Sequence, residues 1–187
     1  SQQRGGYCFE LNALFQDALL ASGYSLRPLM ARVHYRGEPS GRTHLLGLCE
    51  LAAKQWLIDV GFGGGGMRYP LPFETDREDK QGAQTLKIVA SADYGYMLQQ
   101  KSDGHESEGD GEWLNLFSFD LSKVNPSDIL MGNYYCSTHP DSHFTQNRIA
   151  SLCIPGGRVS LLNRDLRITQ NGRQETRRLE EGQPYLD

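Results

Sequence analysis

The sequence predicts an α+β fold, and three observations predict it. An amphipathic helical segment comes first, with Leu11, Leu14, Phe15, Ala18 and Leu19 recurring at the i, i+3, i+4, i+7, i+8 spacing of one helical face. Six runs of strand character follow, separated by polar, turn-rich stretches. Beyond them a linker leads to a small hairpin-bearing module.

The helix is predicted from about Tyr7 to Ser22, with Gly23 as its stop. Gly5 and Gly6 precede it and permit backbone angles closed to other residues. The strands are expected at Ser25 to Tyr35, Thr43 to Leu51, Gln55 to Val60, Thr85 to Ala90, Tyr94 to Gln100 and Glu112 to Phe119. Glu50 to Lys54 supplies a turn, Glu74 to Lys80 a solvated connection, and Asp103 to Gly111 an acidic hairpin loop. After a linker from Asn133, Asn147 to Ile154, Arg158 to Leu162 and Asp165 to Thr169 form the module, with a tight turn at Asn171-Gly172.

The chemistry begins at Cys8. The two-glycine turn delivers this cysteine to the first turn of the helix, beside Arg4. Unpaired backbone N–H groups and the positive end of the helix dipole favour an anion there, and such settings lower a thiol's pKa. The competing reading is a small buried hydrophobe, the commonest fate of a free cysteine. A packing cysteine, however, requires no glycine pair ahead of it.

His44 and Asp59 follow, 36 and then 15 residues further on. His44 shares a strand face with Leu46 and Leu48, although a strand histidine is commonly just a satisfied side chain. Asp59 stands between Ile58 and Val60, where a carboxylate is costly to bury without a partner. Either a structural ion pair or an Asp–His hydrogen bond that fixes the imidazole tautomer answers that cost. A hairpin turning at Glu50 to Lys54 brings His44 and Asp59 across from one another after small register adjustments.

Composition narrows the function classes. The 187 residues suffice to bury about 70 per cent of the unfolded surface. A net charge of −4 and a pI near 5.7 argue against a broad nucleic-acid surface, and no apolar run is long enough to span a membrane. The four cysteines form no Cys-x-x-Cys pair, which suits a reducing cytoplasm; Cys49, Cys136 and Cys153 read as packing residues. Gly61 to Gly66 invites a phosphate-loop reading, but Met67-Arg68 stands where Lys-Ser/Thr is required. His139 and His143 are four apart with Pro140 between and no third ligand nearby, so no metal is expected.

Arg4-Gly5-Gly6-Tyr7-Cys8-Phe9-Glu10-Leu11-Asn12, Thr43-His44-Leu45-Leu46-Gly47-Leu48 and Leu57-Ile58-Asp59-Val60-Gly61-Phe62-Gly63, in this order and spacing, resemble the arylamine N-acetyltransferase family. These are cysteine enzymes that move an acetyl group from acetyl-CoA to aromatic amines and hydrazines. The likeness extends through Trp113 to Phe119 and Asn133 to Phe144. It implies a papain/transglutaminase-like cysteine core. Residues 1–23 would then be the remnant of a helical domain with the nucleophile helix, 24–128 a β-barrel domain, and 129–187 a linker and partial α/β lid.

By that resemblance Cys8 is the acyl-accepting nucleophile, His44 its base and Asp59 the orienting carboxylate. Phe62 falls at the acceptor-side wall, and Ser40, Gly41, Thr43 and Tyr135 near the coenzyme. Asp141 departs from the pattern, bringing negative charge to a position that would align with a coenzyme contact. The resemblance also implies a helical segment ahead of the nucleophile and a closing helix after Glu180 to Asp187, so the chain reads as truncated at both ends. The implied function is ping-pong acetyl transfer from acetyl-CoA, the co-substrate, to small arylamines or arylhydrazines. A thiol hydrolase or amide synthase with the same Cys-His-Asp set, or an inactive fragment, are the alternatives.

Overall fold

The computed structural model describes residues 5–34, 38–101, 112–180 and 182. Helix α1 (Cys8–Ala21) begins after an extended Tyr7, whose N–H donates to the Glu10 carboxylate at 3.4 Å. It ends at Gly23, which takes the left-handed φ of 86° that a helix stop favours. Gly5 and Gly6 do not take positive φ, contrary to expectation. The glycine at position 6 instead answers a contact, because a Cβ there would stand 3.0 Å from the Glu10 Cβ.

Eight strands form one antiparallel sheet: β1 (Ser25–Val33), β2 (Arg42–Leu51), β3 (Lys54–Ile58), β4 (Leu71–Pro72), β5 (Asp79–Gln81), β6 (Gln84–Ser91), β7 (Gly95–Lys101) and β8 (Trp113–Phe119). Their spatial order is β4-β3-β2-β1-β8-β7-β6-β5. Thr75 bridges Ile88, and the Asp76 N–H donates to the Ile88 carbonyl at 2.7 Å, so the chain leaving one edge is tied back to a strand beside the other. The sheet is thereby a nearly closed barrel. Its interior is filled by Leu29, Ala31, Leu46, Leu48, Leu57, Leu71, Leu86, Ile88, Leu98, Leu116, Phe117 and Phe119, which alternate along their strands except at Leu116 and Phe117, where the β7–β8 register shifts.

Strand β2 is buried from His44 through Cys49, on both faces. One face lines the barrel; the other is covered in part by α1. The helix face that meets the barrel carries Cys8, Asn12 and Gln16 rather than the predicted leucine face, and Leu14 is 70% exposed. Local periodicity located the helix but not its buried side, because Asn12 and Gln16 are buried through hydrogen bonds to β2 carbonyls, which hydrophobicity cannot register.

Two further elements differ from expectation. The Glu74 to Lys80 connection is not wholly solvated, since it carries the bridge at Thr75 and enters β5. Helix α2 (Pro126–Thr138) occupies the stretch read in part as a linker. Pro126 suits a first helical turn, and Gly132 lets the helix approach so closely that a Cβ would meet Phe9, Met30 and the Arg42 carbonyl at 2.9 Å. The acidic loop expected at Asp103 to Gly111 lies outside the described residues.

Ser1–Asn133 and Tyr134–Asp187 are two compact units. The second holds helix α3 (His143–Gln146) and a four-stranded antiparallel meander of β9 (Ile149–Ile154), β10 (Gly157–Leu162), β11 (Asp165–Gln170) and β12 (Arg173–Arg178). Asn171 and Gly172 make the β11–β12 turn with positive φ at both, as a two-residue hairpin loop requires. Strand β12 was not among the expected strands, because its Arg-Gln-Glu-Thr-Arg-Arg is exposed throughout and has no apolar face. Cys49 and Cys136 are buried as expected, but Cys153 is exposed.

Candidate active site

Cys8 opens α1 and is 4% exposed. Its sulfur lies 3.8 Å from the Thr43 carbonyl, to which the thiol donates. Thr43 precedes His44 on β2, so this contact sets the start of the helix against the strand that carries the imidazole.

His44 is wholly enclosed. Phe62 meets its ring edge-on at 5.1 Å between centroids, and Phe117 lies at 5.1 Å on a tilted plane. Its Nε2 stands 2.7 Å from Asp59 Oδ2, which leaves Nδ1 as the ring nitrogen able to serve the thiol. Burial by itself would push the imidazole pKa down. The Asp59 charge, its hydrogen bond and the Cys8 thiol outweigh burial and push it up to about 10, which favours the protonated imidazole.

Asp59 lies just past the end of β3. Its Oδ1 accepts from the Asn12 amide at 2.8 Å, the Gly61 N–H at 2.8 Å and the Phe62 N–H at 3.1 Å. Burial favours the neutral acid here, but the His44 charge and these donors win and hold the carboxyl below its usual range. Pairing with His44 at one oxygen and three donors at the other offset the cost of burying the charge.

The same contacts dispose of the phosphate-loop reading. The Gly61 and Phe62 amides that such a loop would aim at a ligand are spent on Asp59, and Gly66 turns back to donate to the Gly63 carbonyl at 2.7 Å. Gly61 is needed for proximity: a Cβ there would stand 2.5 Å from the Cys8 Cα and 2.7 Å from Asn12 Nδ2.

Of the remaining expected site residues, Phe62 packs against His44 and Phe117. Ser40 and Gly41 lead into β2, and Thr43 is its second residue. Ser40 Oγ accepts from the Val33 N–H at 2.9 Å and lies 2.9 Å from Thr43 Oγ1, and the Thr43 N–H donates to the Gly41 carbonyl at 2.8 Å. Pro39 and Arg42, flanking Ser40 and Gly41, border a cavity of about 240 Å³ that Arg32, Tyr94, Ser118 and Asp120 also line. Tyr135 belongs to the second compact unit, where its ring stacks on His139 at 4.6 Å. Among the described residues no cluster of three His, Cys, Asp or Glu side chains could hold a metal ion, and no helix is long and apolar enough to cross a membrane.

Sequence reasoning missed three contributors. Asn12 was visible as a polar residue one helical turn after Cys8, a poor helix former at an interior position. Gly61 was visible only as one of a glycine run. Phe117 carried no signal, since its place beside His44 comes from β8 pairing directly with β1, far from it in sequence.

A sequence model of a family described as N-acetyltransferase matches residues 1–186. The chain is 32% identical over 173 residues to arylamine N-acetyltransferase of Escherichia coli K12, covering 91% of this chain and 59% of that protein. It is 35% identical over 167 residues to the arylamine N-acetyltransferase / N-hydroxyarylamine O-acetyltransferase of Salmonella typhimurium, covering 86% of this chain and 56% of that one. The solved structure of Mycobacterium marinum arylamine N-acetyltransferase in complex with CoA superposes with a TM-score of 0.86 at 30% identity, over 96% of this chain and 66% of that chain. The chain thus spans under three fifths of the length of the two curated relatives. With a family model matched over residues 1–186 and relatives of that name, the chain belongs to the arylamine N-acetyltransferase family.

Proposed function

We propose that this protein moves an acetyl group from acetyl-CoA to the nitrogen of arylamines or arylhydrazines through an acetyl-cysteine intermediate. The observation that carries this reading is the geometry: His44 Nε2 stands 2.7 Å from Asp59 Oδ2, and the same imidazole interacts with the Cys8 side chain. With its proton taken up by His44, the Cys8 sulfur attacks the thioester carbonyl and forms a carbon–sulfur bond; the acyl bond to the coenzyme sulfur then breaks, and the coenzyme thiol leaves with that proton from His44. The amine then attacks the acetyl-cysteine, its proton passes to His44, and the Cys8 sulfur departs. Thioester exchange is nearly balanced in energy, so positioning and water exclusion are the enzyme's main tasks, and the Phe62–His44–Phe117 cluster supplies a dry wall for both.

In this reading Phe62 borders the acceptor, and Ser40, Gly41 and Thr43 border the coenzyme together with Tyr135. The CoA named in the M. marinum complex supports the choice of donor. No step calls on a metal. A reducing cytoplasm would keep the Cys8 thiol available for this chemistry. Incubation with acetyl-CoA followed by mass spectrometry tests the proposal: one acetyl group should appear on Cys8 and be discharged by an added arylamine as its N-acetyl product. Release of free acetate at the same rate with and without amine would make the protein a hydrolase, and no label at all would overturn transfer altogether.

A further inference from the structure

Asn12 stands one helical turn after Cys8 on the same face of α1 and is 1% exposed. Its amide is fully spent. Nδ2 donates to the Leu45 carbonyl at 2.7 Å and to Asp59 Oδ1 at 2.8 Å, while Oδ1 accepts from the Val60 N–H at 2.9 Å. Leu45 follows His44 and Val60 follows Asp59. One side chain on the cysteine helix therefore grips both segments that carry the other two members of the site.

We propose that Asn12 is a positioning residue: it fixes the cysteine helix against the histidine strand and the aspartate turn, and holds the Asp59 carboxylate rotated so that Oδ2 faces His44. It touches none of the reacting atoms. Asp59 Oδ1 takes three N–H donors, from Asn12, Gly61 and Phe62, and is saturated, so only Oδ2 is left for the imidazole. Asparagine alone meets the demand. Leucine has similar volume but strands the Leu45 carbonyl and the Val60 N–H, glutamine is a methylene too long, and an ionised aspartate cannot donate.

Gln16 provides the contrast. It lies one turn further along, is 7% exposed, and its Nε2 donates to the Leu46 carbonyl at 3.2 Å. It fastens the same helix to the same strand through the same kind of bond, yet makes no hydrogen bond to Asp59 or to the turn that follows it. A residue that merely glues α1 to β2 should behave like Gln16.

The consequence for rate rests on the acetyl-transfer reading; the positioning does not, and the experiment separates the two. Asn12→Ala, Asn12→Asp and Gln16→Ala are compared in single-turnover acetylation of Cys8 by acetyl-CoA, and in the pH dependence of Cys8 alkylation by iodoacetamide, which needs no coenzyme. Asn12→Ala should lower the acetylation rate on the order of 10²-fold, the scale of a misplacement of about 1 Å, with the KM for acetyl-CoA little changed. It should also shift the alkylation profile, and its effect should largely vanish in an Asp59→Asn background. Gln16→Ala should lower thermal stability and leave rate and profile in place.

Asn12→Asp keeps the test alive if the alanine variant does not fold. Two carboxyls in contact hold a shared proton, and the protonated pair can restore the lost donor bond to Asp59. Its acetylation rate, relative to wild type, should therefore recover as pH is lowered and fall as pH is raised. Equal effects of Asn12→Ala and Gln16→Ala on the alkylation profile, full additivity with Asp59→Asn, or absence of the acid-side recovery would each overturn the proposal. A wild-type protein that is not acetylated, but whose alkylation profile moves in Asn12→Ala and not in Gln16→Ala, would defeat the transfer reading and sustain the positioning role.

Discussion

Asp59 Oδ2 lies 2.7 Å from His44 Nε2 although the two residues are not register partners. The pairing of β2 with β3 ends with Gly47 opposite Ile58, so Asp59 continues past the ladder and reaches His44 diagonally, two residues beyond Leu46. A side chain reaching out of register needs another restraint. It comes from the other carboxylate oxygen, which collects the Gly61 and Phe62 amides of its own turn and the Asn12 amide of the helix. The buried ion pair survives because both carboxylate oxygens have hydrogen-bond donors.

Replacing Asp59 by asparagine tests that arrangement at its least disruptive point. The amide oxygen can keep the three N–H donors, which turns the NH₂ toward His44 Nε2. Nε2 must then become the acceptor and Nδ1 must carry the proton, the wrong tautomer for a base serving Cys8. The expected loss is about 10³–10⁴-fold in kcat, the range seen when an orienting carboxylate is neutralised, with circular dichroism unchanged. Single-turnover acetylation is the measurement, and a rate within about tenfold of wild type would remove Asp59 from its assigned role.

The ion pair also ties stability to pH. The His44 pKa is raised from 6.5 to about 10, so between those values the folded state holds a proton that the unfolded state has lost. Its contribution is fully present below about pH 6.5 and declines as pH rises toward 10. Asp59 acts at the other end: its pKa is held below 3.8, so its contribution is present above that value and is lost as pH falls through the lowered folded-state pKa. Urea midpoints measured from pH 6.5 to 10 should decline, and the slope should flatten in His44→Gln; an unchanged slope in that variant would exclude His44 as the linked group.

Most of the site could be read from the chain because its three central residues sit in short segments whose chemistry is local. Cys8 opens a helix, His44 faces inward on a strand, and Asp59 interrupts an apolar run. Their supports were illegible for a different reason. Asn12 is buried by partners 33 and 47 residues away, and Phe117 reaches His44 only because β8 pairs with β1. The barrel strands alternate and so announce themselves, whereas β4 has two residues and β12 has no apolar face. Helix α2 was obscured because Gly132, a poor helix former, is the very residue that permits its close approach to Phe9 and Met30.

Gly61→Ala should damage stability and activity together. The new methyl would meet the Cys8 Cα at 2.5 Å and Asn12 Nδ2 at 2.7 Å, so the aspartate turn and the cysteine helix must part. Overpacking of this kind costs about 1–3 kcal/mol. The acetylation rate should drop at the same time, because the displaced elements are the two that carry Cys8 and Asp59. Gly5→Ala is the control, as nothing lies within 4 Å of a Cβ at that position. Thermal midpoints and single-turnover rates on both variants decide the matter, and a normal rate in Gly61→Ala would mean the contact is not needed for function.

The β2–β3 turn offers the opposite experiment, a gain in stability without change at the site. Ala52 and Ala53 have φ of 52° and 59°, left-handed values that cost a residue bearing a Cβ on the order of 1 kcal/mol each. They are the two residues between paired Leu51 and Lys54, the loop length at which Asn-Gly is preferred. Ala52→Asn with Ala53→Gly removes most of that strain and leaves the strand register intact. Against it runs the added freedom that glycine gives the unfolded chain, which offsets part of the gain. A net improvement of about 1 kcal/mol should raise the thermal midpoint by about 2–4 °C in a chain of this size. The turn lies on the order of 25 Å along β2 from His44, so acetylation of Cys8 should proceed at the wild-type rate. A lower midpoint in the double variant would show that these alanines owe their conformation to contacts that the new residues lose, and not to the geometry of the turn.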